Sequence, residues 1–219
     1  MYFLDWWNQL IFWFGVMSKK SIIVFEGIEG TGKSHHINNV AKYLKKNNKK
    51  FIQIREPGGS KNAEKIRKLI LSNKSTFNNH TDLLLYLSAR SENIELIKKN
   101  NGKKIILIDR FTDSTIAYQH YGMGVNLKFI KNINDFLLKD ININFTFLCT
   151  VNQKNMKNRL LSRKNLNRYD QFNSNFYDKV QKGFLKILRR NPKKYMKIDS
   201  NLPIEFNDEI VLSKIDDLT

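Results

Sequence analysis

Apolar residues along this chain fall into short continuous or near-continuous runs, separated by longer stretches where they recur every third or fourth position. Runs of the first kind are Ile22–Phe25, Phe51–Ile54, Ile105–Ile108, Phe145–Val151 and Tyr195–Ile198. Apolar runs of this length suit strands buried on both faces, as in a parallel sheet. The periodic stretches predict helices: one running to Leu44, then Asn62–Leu71, Asp82–Lys99, Thr112–Tyr121 closed by Gly122 and Gly124, and Leu127–Leu138. Three more cover Asn152–Leu161, Phe172–Arg190 as far as Pro192, and Ile204–Leu218. Strand and helix alternate throughout, so the pattern predicts an α/β fold of about five parallel strands with helices on both faces. There is no internal repeat and no long linker, and residues 17–219 read as one domain.

The first run ends in Gly27-x-x-x-x-Gly32-Lys33-Ser34. Strand, glycine loop and helix in that order make a phosphate-binding P-loop. In such a loop backbone N–H groups turn toward one anion, and the positive end of a helix dipole adds to them. The nucleotide-binding set is therefore Gly27, Ile28, Glu29, Gly30, Thr31, Gly32, Lys33 and Ser34. Lys33 would reach the β- and γ-phosphates and Ser34 would hold a magnesium ion. Ile105–Ile108 runs into Asp109, an apolar strand ending in a carboxylate, which would share that ion. The second strand ends in Arg55-Glu56-Pro57-Gly58-Gly59, a tight turn with exposed backbone, and Ser60 is placed to cap the next helix.

Composition changes this picture little. The formal charge is +18, which would suit phosphates, nucleic acid or an anionic membrane. The lysines are scattered, as in KKNNKK and KKNNGKK, alongside abundant Asn and Ile, and dispersed charge of this kind is a solvated surface. A nucleic-acid-stimulated ATPase is the alternative this charge raises, but no recognition motif accompanies it. The single Cys149 cannot form an internal disulfide and fits a reducing, cytoplasmic setting. Residues 1–16, MYFLDWWNQLIFWFGV, are aromatic, too short for a membrane span and without the basic start of a signal peptide. They lack the Lys or Arg face of an interfacial anchor, so no stable membrane association is expected. Met17 precedes SKKSIIVFEG, a normal lead into a first strand, and the expected working protein begins there.

A P-loop alone does not separate motors, GTPases and kinases. Three further segments do: Arg55–Gly59, then Asp109-Arg110-Phe111-x-x-Ser114-x-x-Ala117-Tyr118-Gln119, then Arg159-x-x-x-Arg163 with Arg168-x-Asp170. Together they resemble the thymidylate kinase family, and the resemblance runs from about Ser21 to the end of the chain. A GTPase would need Asn-Lys-x-Asp, and Asn152-Gln153-Lys154-Asn155 has the wrong order.

The resemblance implies a P-loop fold with a mobile basic lid at about 159–171, and transfer of the ATP γ-phosphate to dTMP on the route to dTTP. It implies that Tyr86, commonly Phe in the family, stacks on thymine while Arg90 hydrogen-bonds a base carbonyl and Thr115 lies near the base's far edge. Tyr118 would sit beneath the sugar, followed by Gln119, with Pro57 and Ser114 in the same acceptor site. Arg67 and Arg110 would hold the acceptor phosphate, and Glu29 would face the sugar hydroxyl or the water shell of the metal. Some members carry an arginine inside the loop. This chain has Ile28-Glu29-Gly30-Thr31 there, so Arg159, Arg163 and Arg168 of the lid are expected to supply the missing cation. Phe111 stands where Tyr or His is usual. A homodimer is also implied. The nearest alternative is another nucleoside or nucleoside-monophosphate kinase of the same architecture. His35 and His36 match no metal spacing and read as surface or packing residues.

Overall fold

The computed structural model describes residues 20–219; the expectation for residues 1–16 lies outside the described residues. Five strands are present: β1 Ile22–Glu26, β2 Phe51–Arg55, β3 Ile105–Asp109, β4 Phe145–Thr150 and β5 Tyr195–Asp199. They form one sheet in the order β2-β3-β1-β4-β5, and each adjacent pair is parallel. The eight α-helices among the described residues are α1 Lys33–Lys46, α2 Lys61–Leu71, α3 Asn79–Asn100, α4 Thr112–Thr115, α5 Leu127–Leu137, α6 Gln153–Leu161, α7 Ser174–Arg190 and α8 Ile204–Leu218.

Alternation along the strands divides the core. Ile23, Phe25, Leu107 and Phe147 face Ile37, Val40 and Leu44 of α1 and Val211 and Ile215 of α8. Ile22, Val24, Ile106 and Ile108 face Ile94 and Ile97 of α3 on the other side. On that second side, Leu148 also meets Tyr177, Val180 and Phe184 of α7. Both faces of the sheet are therefore covered, as the unbroken apolar runs require.

Asparagine side chains set several of the helix starts. α3 begins at Asn79 rather than Asp82, because the Asn78 side chain accepts hydrogen bonds from the backbone N–H groups of His80 and Thr81. Asn126, Asn152 and Asn173 cap α5, α6 and α7 in the same manner. Each satisfies backbone donors that a helix start leaves unpaired. The expected Ser60 cap is present, its Oγ accepting from Ala63 N at 3.2 Å.

The larger departure is at Thr112–Tyr121. Only the short α4 is regular; Ile116–Gly122 continues as a π-helix. This π-segment lies against α7 at close range. A Cβ built on Gly183 of α7 would meet Tyr121 Cδ2 at 2.5 Å and its Cβ at 2.9 Å. Those atoms are near the root of the Tyr121 side chain and have little room to move aside. Gly→Ala in a helix interior normally stabilises by about 1 kcal/mol, whereas over-packing costs about 1–3 kcal/mol. Gly183→Ala is therefore expected to lower stability by about 1 kcal/mol, seen as a reduced urea midpoint at unchanged slope. A variant more stable than the parent would refute this close approach.

Candidate active site

The C-terminal ends of β1, β2 and β3 open onto a cavity of about 230 Å³. Ligand sites in open parallel sheets lie at this edge, where successive loops part. The wall from the β1–α1 loop consists of Glu29, Lys33 and Ser34; Glu56 and Pro57 come from the loop after β2, and Asp109 and Arg110 from the end of β3. Arg67, Tyr86, Arg90, Ser114, Thr115, Tyr118 and Gln119 line the side expected to take the acceptor, and Arg163 enters from the 159–171 segment.

The loop itself is tightly built. Gly27 has φ +138°, and a Cβ there would lie 2.2 Å from the Cys149 carbonyl oxygen. No other residue fits between β1 and β4 at that point. Lys33 Nζ donates to the carbonyl oxygens of Gly27 at 2.9 Å and Ile28 at 2.8 Å, and to Thr31 Oγ1 at 3.2 Å. Burial, reinforced by the nearby Arg110 charge, pulls its ammonium down to about 8. Ser34 Oγ lies 3.3 Å from Asp109 Oδ2, so the two expected metal ligands converge. These are hard oxygen donors of the kind magnesium takes.

Arg110 joins the loop to the acceptor side. It adopts φ +65°, a left-handed backbone uncommon for a side-chain-bearing residue and typical of strained functional positions. Its guanidinium donates to Gly27 O at 2.7 Å, Glu29 Oε1 at 2.8 Å and Tyr118 Oη at 3.3 Å. The Tyr118 hydroxyl donates to the other Glu29 oxygen. One carboxylate thus orients both a cation and an aromatic ring.

Arg90 is 1% exposed and pairs with Glu56 at 2.8 Å. Its Nη1 donates to Asn134 Oδ1 at 2.8 Å and its Nη2 to Thr115 Oγ1 at 2.9 Å, so the two residues expected to read the base are joined. Arg67 Nη1 donates to the Pro57 carbonyl at 2.5 Å. Tyr86 stands edge-on to Tyr169, with ring centroids 5.8 Å apart, and burial pushes its hydroxyl up to about 12.

The three lid arginines separate. Arg163 lines the cavity and pairs with Asp170 at 2.7 Å. Arg168 pairs with Asp82 of α3 and also donates to the Ile70 carbonyl. Arg159 lies behind the loop, donating to Gly30 O at 2.9 Å and Ser200 O at 2.7 Å, and does not line the cavity.

Four residues the sequence reading passed over are structurally central. Glu26, 1% exposed, accepts from Phe111 N at 2.8 Å, Ser114 N at 3.1 Å and Ser114 Oγ at 2.5 Å. Glu56 neutralises Arg90. Asp82 accepts from Arg168, Gln119 and the Tyr169 hydroxyl. Tyr169 brings a buried ring into the cavity wall. Glu26 and Glu56 were visible within the motifs, as apolar-run or turn residues whose unpaired charge demanded a partner. Asp82 and Tyr169 carried no local signal.

A sequence model of the family "Thymidylate kinase" matches residues 25–210. A thymidylate kinase of Kosmotoga olearia is 31% identical over 194 residues, covering 88% of this chain and 93% of that protein. Another, from Thermosipho africanus, is 38% identical over 167 residues, covering 75% of this chain and 83% of that protein. The crystal structure of thymidylate kinase from Ehrlichia chaffeensis superposes with a TM-score of 0.72 at 30% identity, covering 90% of this chain and 98% of the other. With its loop, its acceptor wall and its parallel sheet arranged in this way, the chain belongs to the thymidylate kinase family.

Proposed function

We propose that this cavity seats ATP and dTMP head to head for in-line transfer of the γ-phosphoryl group, with the residue roles given below. The reaction is that of the family: ATP and dTMP give ADP and dTDP, a step toward dTTP. The observation that carries the assignment is Arg110, whose one guanidinium touches the loop at Gly27 and the acceptor side at Tyr118. A cation there lies where donor and acceptor phosphates must meet.

Phosphoryl transfer asks chiefly for alignment and for neutralisation of spreading charge. The acceptor phosphate is already ionised at neutral pH, so no general base is needed. Gly27 to Ser34 cradle the ATP phosphates, and Lys33 exchanges its carbonyl partners for the β- and γ-oxygens. Ser34 and Asp109 would hold Mg²⁺, which when bound neutralises charge on the transferring group. Arg67 and Arg110 fix the acceptor phosphate. Tyr86 and Arg90 hold thymine, with Thr115 and Gln119 closing its far side and Pro57 and Ser114 shaping the wall. Tyr118, set by Glu29, packs beneath the sugar and disfavours a 2′-hydroxyl. Arg163 supplies the mobile cation of the lid; Arg159 acts from behind, by holding Gly30 and hence the loop. Residues 17–219 form the working domain.

Exposed Leu69, Leu84, Phe129 and Phe136 lie on α2, α3 and α5 and support a homodimer through those helices. Sedimentation equilibrium is expected to give twice the chain mass, and a monomer at micromolar concentration would refute it. Among the described residues no helix is long and apolar enough to cross a membrane. The free, buried Cys149, its thiol pushed up to about 12 by burial, supports a reducing cytoplasmic setting.

Two experiments test the assignment. Protein begun at Met17, assayed for ADP release with ATP and magnesium, is expected to turn over dTMP fastest, dUMP more slowly and UMP negligibly. Faster turnover of any other monophosphate would reject the acceptor, and activity restored only by residues 1–16 would reject the start. Arg163→Ala is expected to lower kcat by about 10- to 100-fold with KM for dTMP within about threefold, the signature of a contact made in the transition state. A change confined to KM would remove that role.

A further inference from the structure

We propose that His35, His36 and Asp208 form a binding site for one Zn²⁺ or a similar imidazole-preferring divalent transition ion, bridging α1 and α8. The site is separate from the oxygen pair Ser34 and Asp109, and none of its three residues lines the cavity.

Three observations converge. The His35 Nε2 lies 2.8 Å from Asp208 Oδ2, and His36 Nδ1 lies 2.8 Å from Asp208 Oδ1. One carboxylate thus sits between two imidazoles, and the candidate ligand atoms all fall within 4.8 Å of one another. The two rings stand 85° to each other with centroids 5.4 Å apart, so they approach from different directions and do not stack. The nearest charges on α8 are also acidic: Glu205 and Glu209 lie within one turn of Asp208, set against the lysines of α1.

The geometry needs little change to accept an ion. Zn²⁺ takes imidazole nitrogen at about 2.0–2.1 Å and carboxylate oxygen at about 2.0–2.2 Å, which puts tetrahedral ligand atoms roughly 3.3 Å apart. Widening the present 2.8 Å contacts by a few tenths of an ångström, and bringing the two ring nitrogens, which lie within 4.8 Å of each other, to a similar spacing, gives that arrangement. His35 can supply that movement, because its side chain is 46% exposed, while Asp208 is 20% exposed and His36 is fixed at 2%. The same exposure leaves a fourth position open to water. Without metal, each ring nitrogen facing Asp208 donates a proton to it. Binding requires those nitrogens bare, so the proton passes to the other ring nitrogen, or to solvent where the ring is an imidazolium. Because His35 directly follows Ser34, a bound ion would pin the first turn of the phosphate-binding helix to α8.

The test uses the full chain freed of metal by chelation and then titrated with ZnCl₂ against a chromogenic chelator. Wild type is expected to bind Zn²⁺ with one equivalent that both His35→Ala and Asp208→Asn lose, or bind at least ten-fold more weakly. At a hundred-fold excess over Kd the melting temperature should rise by about 5 °C in wild type and much less in either variant. Co²⁺ in place of Zn²⁺ should give the visible absorption of a four-coordinate site, absent from His35→Ala. An ion held by Ser34 and Asp109 would persist in both variants and so does not enter the difference. His35 is exposed, so its replacement leaves the fold intact even where Asp208→Asn does not. No Zn²⁺ bound by wild type, or an undiminished equivalent in His35→Ala, overturns the proposal.

Discussion

The Glu26 carboxylate governs how this site is assembled. It ends β1, is almost wholly removed from water, and receives two backbone N–H groups and one hydroxyl from Phe111 and Ser114. Burial disfavours the charged form of such a carboxyl and leaves its pKa raised, and the donors from Phe111 and Ser114 offset that in part. The donors come from the segment that follows β3. Strand pairing already sets Phe25 beside Asp109. The carboxylate extends that register beyond the sheet, so that Asp109, Arg110 and the first turn of α4 emerge at a fixed height relative to the loop. The left-handed backbone at Arg110 lies within this junction, between Asp109 and the Phe111 N–H that Glu26 accepts.

Charge is organised by pairing rather than by quantity. The lysine excess is spread over the surface, whereas four arginines in and beside the site meet carboxylates, Arg90 with Glu56, Arg110 with Glu29, Arg163 with Asp170, and Arg168 with Asp82, while Arg67 is held by the Pro57 carbonyl. Such pairs hold cations in place before the reaction, so that little reorganisation is needed as charge develops. They differ in how readily they can change partner. The buried Arg90 pair is locked by Asn134 and Thr115 as well, and separating it would leave an unpaired buried charge. Arg163 is 41% exposed, so water can replace Asp170 at small cost. The first suits a fixed wall, and the second suits a lid.

The sheet, its order of elements and the donor half of the site were legible because their signals are local. Gly27 to Ser34 is contiguous, and the strand runs end close to where the apolar residues end. What escaped was information held between distant segments. Asp82 and Arg168 are far apart in the chain, and neither spacing nor composition joins them. Arg159 and Arg163 looked alike one turn apart on the sequence, yet the end of α6 directs one to the back of the loop and the other into the cavity. The asparagines were a different failure. Their abundance read as bias, but Asn78, Asn126, Asn152 and Asn173 each occupy the position where a short side-chain oxygen starts a helix.

The π-segment shows why a regular helix would not have served at Ile116–Gly122. With a repeat of 3.6 residues, an amphipathic helix turns only part of its circumference inward, so three successive side chains do not share one buried side. Here Ala117, Tyr118 and Gln119 are all buried. Tyr118 reaches Glu29 while Gln119 reaches Asp82 and Tyr169, so neighbouring residues join different elements around one cavity. The wider turn requires support from outside, because its own hydrogen bonding is less favourable than that of an α-helix. That support comes from α7, where the absence of a side chain at Gly183 admits Tyr121 and where Phe176 and Val180 pack over Gly122. The lining of the cavity and helix packing are thus met by one irregularity, in keeping with the concentration of π-turns at functional sites.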